Sequence, residues 1–312
     1  MTTGTSKNFL NNKKIVFFPY FVKMATTYTW NGGSGIWSST TSWTPNGTPG
    51  ANDDIIINSA EPIKLTLDAV TNINSLSVSG GSIISIEGLF TLSLKSSLTF
   101  AGGTKIKLSS SYPSNLSLGN GSTAFNLVGN DANNYITNNG KNTGYFSVNT
   151  TPTSTINLYV DPEVQWFGMM VRKGTLVLKS DCKIDRLILS DLKGQILKVD
   201  ANKTLTLTAI GTSTLAATET AGGTIDASAT GCKVAITGTF DLTNKLLFKP
   251  DTKVSSLEYN KAGGTLTLGQ AITVDRLLLT NGTINNSNFN ITIAKKGTIT
   301  RGAGTTTVEP IQ

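Results

Sequence analysis

Residues 174–190, GTLVLKSDCKIDRLILS, return 90 positions later as GTLTLGQAITVDRLLLT at 264–280, and the two copies align without a gap. A chain that repeats itself in this way is constrained to fold as repeated units, each completing the core of its neighbour. The glycine, both Leu-x-Leu pairs and the Asp-Arg pair coincide. Where the copies differ, apolar mostly replaces apolar: Cys182 by Ile272, Ile184 by Val274, Ile188 by Leu278.

Inside the repeat lies a smaller unit: a β-branched residue, two spacers, a large apolar residue, one spacer and another apolar residue. It reads Ile184-x-x-Leu187-x-Leu189 and Val274-x-x-Leu277-x-Leu279, with looser versions at Val164-x-x-Phe167-x-Met169, Val254-x-x-Leu257-x-Tyr259 and Ile73-x-x-Leu76-x-Val78. Alternation of apolar and small polar residues is the signature of a strand with one buried face. Glycines follow most copies (Gly80, Gly174, Gly194, Gly263, Gly282), where a chain leaving a strand turns with positive φ. Short alternating strands with glycine punctuation and a period near 20 residues predict an all-β fold. The expected architecture is a β-solenoid, parallel β-helix-like, with rungs of about 20 residues and an N-terminal cap.

Five stretches are expected: an N-terminal arm or extension (1–25), a Trp/Gly-rich cap (26–60), first solenoid rungs (61–108), an irregular loop-rich insertion (109–155) and a main solenoid carrying the 90-residue repeat (156–312). In the first, Lys13 and Lys14 precede the apolar run 15–22, which is interrupted by Pro19 and followed by no small-x-small cleavage pattern. A poor export signal, an arm docking on a partner, and an upstream extension before a natural start at Met24 are its three readings. The run is too short to span a bilayer, and no membrane insertion is expected.

Only 14% of residues are charged, and Thr, Ser, Asn and Gly fill the polar positions. That composition suits an extracellular or virion β-protein with Thr and Asn ladders along stacked rungs. The net charge of +7 is spread over scattered Lys and Arg. No basic stripe with interleaved aromatics is visible, so a nucleic-acid partner is not expected. With no histidine in the chain, Ser-His-Asp and Cys-His catalysis and His-based metal sites are excluded. Cys182 and Cys232 read as buried thiols, although a disulfide is open to them.

The segment after residue 26 carries the most specific pattern: Thr29-Trp30-Asn31-Gly32-Gly33-Ser34-Gly35-Ile36-Trp37, then Ser42-Trp43-Thr44-Pro45, then Pro49-Gly50-Ala51-Asn52-Asp53-Asp54 before Ile55-Ile56-Ile57. It resembles an N-terminal module of large β-helical surface proteins, the Bacteroidetes-type adhesins, and of fibre proteins of their phages. Ser42 stands where that pattern usually has Asn, and the close resemblance covers about residues 28–57. It implies a virion or bacterial surface location, and a homotrimer, since many β-helical fibre proteins are trimers. It says little about activity.

On physical grounds Trp30, Trp37 and Trp43 read as a cap over the first rung, which would otherwise expose its apolar cross-section. The alternative is a platform stacking on sugar rings. Asp53 and Asp54, with Asn52, are candidate calcium ligands or a solvated turn. In 109–155, Tyr112, Tyr135 and Tyr145 stand among Asn, Ser and Gly, a composition suited to recognition loops as well as to ordinary surface turns. Asp185-Arg186 and Asp275-Arg276 recur at the same place in the repeat. An active site occurs once, so they read as a surface ion-pair ladder.

No cofactor and no enzymatic activity are expected. The reading is a structural or adhesive protein. One form is a phage head- or tail-fibre component that binds itself and other virion proteins. The other is a secreted or outer-membrane adhesin that binds cell-surface glycan. The apparent lack of a leader and of a C-terminal sorting domain favours the first.

Overall fold

The computed structural model describes residues 24–109, 115–140, 143–189, 194–208, 223–238, 240–241, 248–285, 289–302 and 306–308. The chain winds into a β-solenoid of about ten turns. Strands from successive turns pair in parallel, and among the described residues the one antiparallel pairing is Thr27–Trp30 with Trp43–Thr44. An early turn has three strand segments. Strand Thr71–Ser79 bends at Asn74, where its register against Leu92–Phe100 shifts, and Ile83–Glu87 supplies the third side.

Alternation sets which side chains enter. In Ile83–Glu87, Ile84 and Ile86 are buried while Ile83, Ser85 and Glu87 face outward. Stacked turns align the inward residues into columns. One runs through Ile63, Ile84, Ile106, Ile136 and Val160, each at most 2% exposed. Each such side chain contributes about 1.5–3 kcal/mol of burial. The corners between segments are tight. Gly80 has φ +102°, and a Cβ there would lie 2.3 Å from the carbonyl oxygen of Ser59 one turn away. The other four glycines singled out in the sequence also have positive φ.

Polar side chains bond singly between successive turns. Ser147 donates to Ser117 at 3.0 Å, and Asn281 Nδ2 donates to Asn260 Oδ1 at 2.8 Å. Cys182 and Cys232 are free, buried thiols, and Cys232 donates to the carbonyl of Ala227. Burial pushes the Cys182 thiol well above its ordinary range; burial, with Asp226 nearby, pushes Cys232 up to about 11.

Three features of the repeat emerge only from the structure, the last two as corrections of the sequence reading. First, the 90-residue repeat is not stacked in phase. Following paired residues from Ile184 leads through Leu207, Ile236 and Tyr259 to Leu279, not to its aligned equivalent Val274. The same strand motif therefore occupies a different side of the coil in its second copy. Residues paired in parallel are separated by as few as 18 positions, Trp166 and Ile184, and as many as 30, Leu116 and Phe146, so the angular phase drifts. Second, the unit near residue 164 is displaced by two. Trp166, Met169 and Val171 take the inward positions that pair with Ile184, Leu187 and Leu189, while Val164 and Phe167 are only half-buried. A tryptophan in place of a β-branched residue hid that register.

Third, Asp185-Arg186 and Asp275-Arg276 form no ladder with each other. Asp185 is 6% exposed, and the Arg186 guanidinium lies 4.9 Å from the ring centroid of Phe167. Asp275 instead pairs with Lys253 at 2.8 Å. The phase drift separates the two copies around the axis.

The described part of 109–155 belongs to the coil. Asn115–Leu118 and Asn126–Val128 pair with Leu92–Phe100, Ile136–Asn138 pairs with Lys105–Leu108, and Thr143–Asn149 pairs onward with Gln165–Lys173.

Candidate functional site

The tryptophans lock the first turn. Trp30 and Trp37 meet Trp43 edge-on, with ring centroids 4.7 and 5.0 Å away, and the three are 5%, 2% and 0% exposed. Trp43 Nε1 donates to the carbonyl of Trp37, and Trp30 Nε1 to that of Gly33, both at 2.9 Å. Strand Thr27–Trp30 pairs with Asp54–Asn58 of the first full turn, which places this cluster over the end of the core. A sugar-stacking platform needs an open ring face. These rings have none, so the platform alternative for Trp30, Trp37 and Trp43 is corrected to a cap.

Asp53 is 1% exposed and spends its oxygens on backbone donors: Oδ1 accepts from Thr26 N at 3.0 Å and Oδ2 from Gly50 N at 2.8 Å. Asp54 Oδ1 accepts from Asn74 Nδ2 at 2.7 Å and from Ser75 Oγ. Both carboxylates staple segments together. Among the described residues no group of three or more His, Cys, Asp or Glu is placed to hold a metal, and the hydrogen bonds above already engage both oxygens of Asp53 and one of Asp54.

The tyrosines separate. Tyr112 lies outside the described residues. Tyr145 is 9% exposed and packs over Gly168, where an added Cβ would meet its ring at 2.2 Å; its face is not open to a ligand. Tyr135 is half-exposed and borders a cleft of about 390 Å³ on the flank of the solenoid.

Asparagines build this cleft. The amide of Asn130 mimics a strand partner: its Oδ1 accepts from Tyr159 N at 2.6 Å while its Nδ2 donates to the carbonyls of Tyr159 and Asn134. Asn134 Oδ1 accepts from the backbone N–H of Gly103 and Thr104 on the previous turn. Asp131 Oδ1 accepts from Asn133 N, Asn134 Nδ2 and Asn134 N, and these bonds hold its carboxyl below the usual carboxylate range. The turn 129–135 is thereby fixed against two neighbouring turns of the stack, and Lys105 Nζ sits 4.9 Å from the Tyr135 ring centroid.

Along the same corner, the next turns supply Tyr159, Asp161, Glu163, Lys179, Asp181 and Lys203. Asp161 accepts from Thr137 Oγ1 at 2.8 Å, Asp181 from Thr204 N at 2.8 Å, and Lys179 pairs with Asp200 at 2.8 Å. The side chains of Glu163 and Lys203 have no hydrogen-bond or ion-pair partner among the described residues. Two half-exposed phenol rings, a free carboxylate and a free ammonium thus face one concave surface, with four carboxylates against two lysines. Aromatic faces beside hydrogen-bonding groups suit a polyhydroxylated ligand. The acidic excess favours neutral or amino sugars over acidic ones. A depressed Asp131 is the reverse of what a general acid needs.

Sequence reasoning singled out Tyr135 but not Tyr159, Glu163 and Lys203, which border the same cleft. They lie 24 to 68 positions further on, and only the turn-by-turn register brings them to one corner. A larger cavity of about 490 Å³ between Phe248 and Thr273 has its lysines engaged: Lys249 pairs with Asp226 and Lys253 with Asp275. No helix among the described residues is long and apolar enough to cross a membrane.

No protein-family model, curated protein or solved structure matches the chain.

Proposed function

We propose that this chain is a non-enzymatic structural and adhesive protein, a rigid β-solenoid that carries a sugar-binding cleft on its flank. The observation that carries the reading is the cleft at Tyr135 and Tyr159, built on turns that the asparagine bonds hold in place. A stack whose turns are joined throughout by parallel ladders suits a spacer that holds a recognition surface away from its anchor. Binding residues set on such a scaffold need little ordering when ligand arrives.

The resemblance of residues 28–57 to adhesin and phage-fibre modules supports two forms of this reading. In the first, the protein is a virion fibre component, assembled as a homotrimer with other virion proteins. In the second, it is a secreted or outer-membrane adhesin of a bacterial surface.

Two measurements test the proposal. An array of immobilised glycans should retain the chain on neutral or amino-sugar structures, and retention on none of them would overturn the adhesive reading. Light scattering separates the two forms: a stable trimer supports the fibre component, and a monomer supports the surface adhesin.

A further inference from the structure

A second concavity lies on another side of the coil, near the tryptophan cap. Two cavities of about 310 and 250 Å³ adjoin there, both bordered by Ala51 and Asn72, so they form one trough running across several turns. The segment Thr48–Ala51 walls its upper part. Its floor carries Asn72, Ser93 and Ser117, which are direct partners on successive turns. Successive turns are one inter-strand step apart, about 4.8 Å, so hydrogen-bonding groups recur at that spacing along the axis. Ser117 accepts from Ser147 at 3.0 Å, which leaves its own hydroxyl hydrogen to donate.

An independent feature of the upper wall points to a ligand. Trp37 lines that cavity and is 2% exposed, yet its buried indole N–H has no hydrogen-bond acceptor in the protein. The neighbouring indoles of Trp30 and Trp43 both have one. A buried donor left unpaired is costly, and although the core indole of Trp166 is unpaired in the same way, only Trp37 borders a surface cavity from which a ligand oxygen could be brought to it.

The charges are disposed unevenly. Lys95 is the one charged residue lining the lower cavity, it is exposed, and its ammonium has no partner among the described residues. Asp68, at the upper end, already accepts from Ser38. The trough therefore offers hydroxyl-compatible groups along its length and an open cation at its lower end.

We infer that this trough binds an extended acidic polysaccharide lying along the solenoid axis, with sugar hydroxyls on Asn72, Ser93 and Ser117, a carboxylate at Lys95 and an oxygen acceptor at the Trp37 N–H. The site is separate from the tyrosine cleft, whose excess of carboxylates disfavours such a ligand.

Isothermal titration of the full chain with alginate oligosaccharides, against dextran oligosaccharides of matched length, tests this. The acidic series should bind at least tenfold more tightly. Lys95→Glu should remove that preference, Trp37→Phe should weaken binding severalfold in protein that remains folded at the titration temperature, and Tyr159→Ala should leave alginate binding unchanged. Failure of alginate to bind, or equal affinity in the native chain and Lys95→Glu, would overturn the inference. Lys95 is exposed, so that variant decides the matter even if Trp37→Phe misfolds. A loss of alginate binding in Tyr159→Ala would instead place the ligand in the tyrosine cleft and overturn it as well.

Discussion

Two aromatic groups in this chain look alike in sequence and differ in the structure. Trp30, Trp37 and Trp43 sit among glycines and asparagines, as do Tyr135 and Tyr159 among asparagines and aspartates. The tryptophans turn inward on one another and close the end of the core, with Trp43 fully buried. The two tyrosines stay half-exposed because the turns beneath them already have aliphatic columns, Ile136 and Val160 among them. An aromatic residue at an end must cover apolar surface, whereas one at a lateral corner is free to serve a ligand. Position along the stack decides the role, more than local composition does.

That contrast can be broken by mutation. Trp43→Ala removes the centre of the cap and should cost about 3–5 kcal/mol in denaturant unfolding, as for large aromatic truncations in cores. A cost below about 1 kcal/mol would mean that the end of the solenoid does not depend on it. Asp53→Ala leaves the amides of Thr26 and Gly50 without their acceptor and should cost about 1–3 kcal/mol. Hydrogen exchange should accelerate at those two amides, and unchanged protection there would contradict the stapling role.

A smaller effect is expected from acid. Burial alone would push Asp226 up, but hydrogen bonds from Ser228 and Lys249 outweigh it and hold its pKa below the ordinary value. A depressed folded-state pKa contributes stability that is fully present above the unfolded value, about 4, and is lost as pH falls through the folded one. Asp226→Asn should therefore flatten the acid limb of the stability curve below about pH 4 and leave its shape above that unchanged. Smallest of all on stability, Tyr135→Ala should stay within about 0.5 kcal/mol of the native chain, as surface substitutions do.

The fold was legible because its signal is local. Alternation at Ile73-x-x-Leu76-x-Val78 and glycines with positive φ state strand and turn directly, and the structure buries those three side chains. The phase was not legible. Ile184 and Val274 align perfectly in sequence yet occupy different sides of the coil, because loop lengths between turns vary and no local pattern records their sum. The same limit hid the candidate site. Tyr135 was visible as an aromatic in a polar loop, but its companions Tyr159, Glu163 and Lys203 join it only through the register of the turns between them. Asp53 was misread for a different reason: a carboxylate that caps backbone N–H groups and one that binds calcium look identical until its partners are seen.

The most direct test of the account is titration of the chain with the glycan that the array retains most strongly, beside the double variant Tyr135→Ala/Tyr159→Ala. The account predicts one binding site per chain, loss of at least tenfold in affinity in the double variant, and a melting temperature that does not move. Equal affinity in the two proteins would contradict it and return the tyrosine cleft to the ordinary surface of a stacked β-protein.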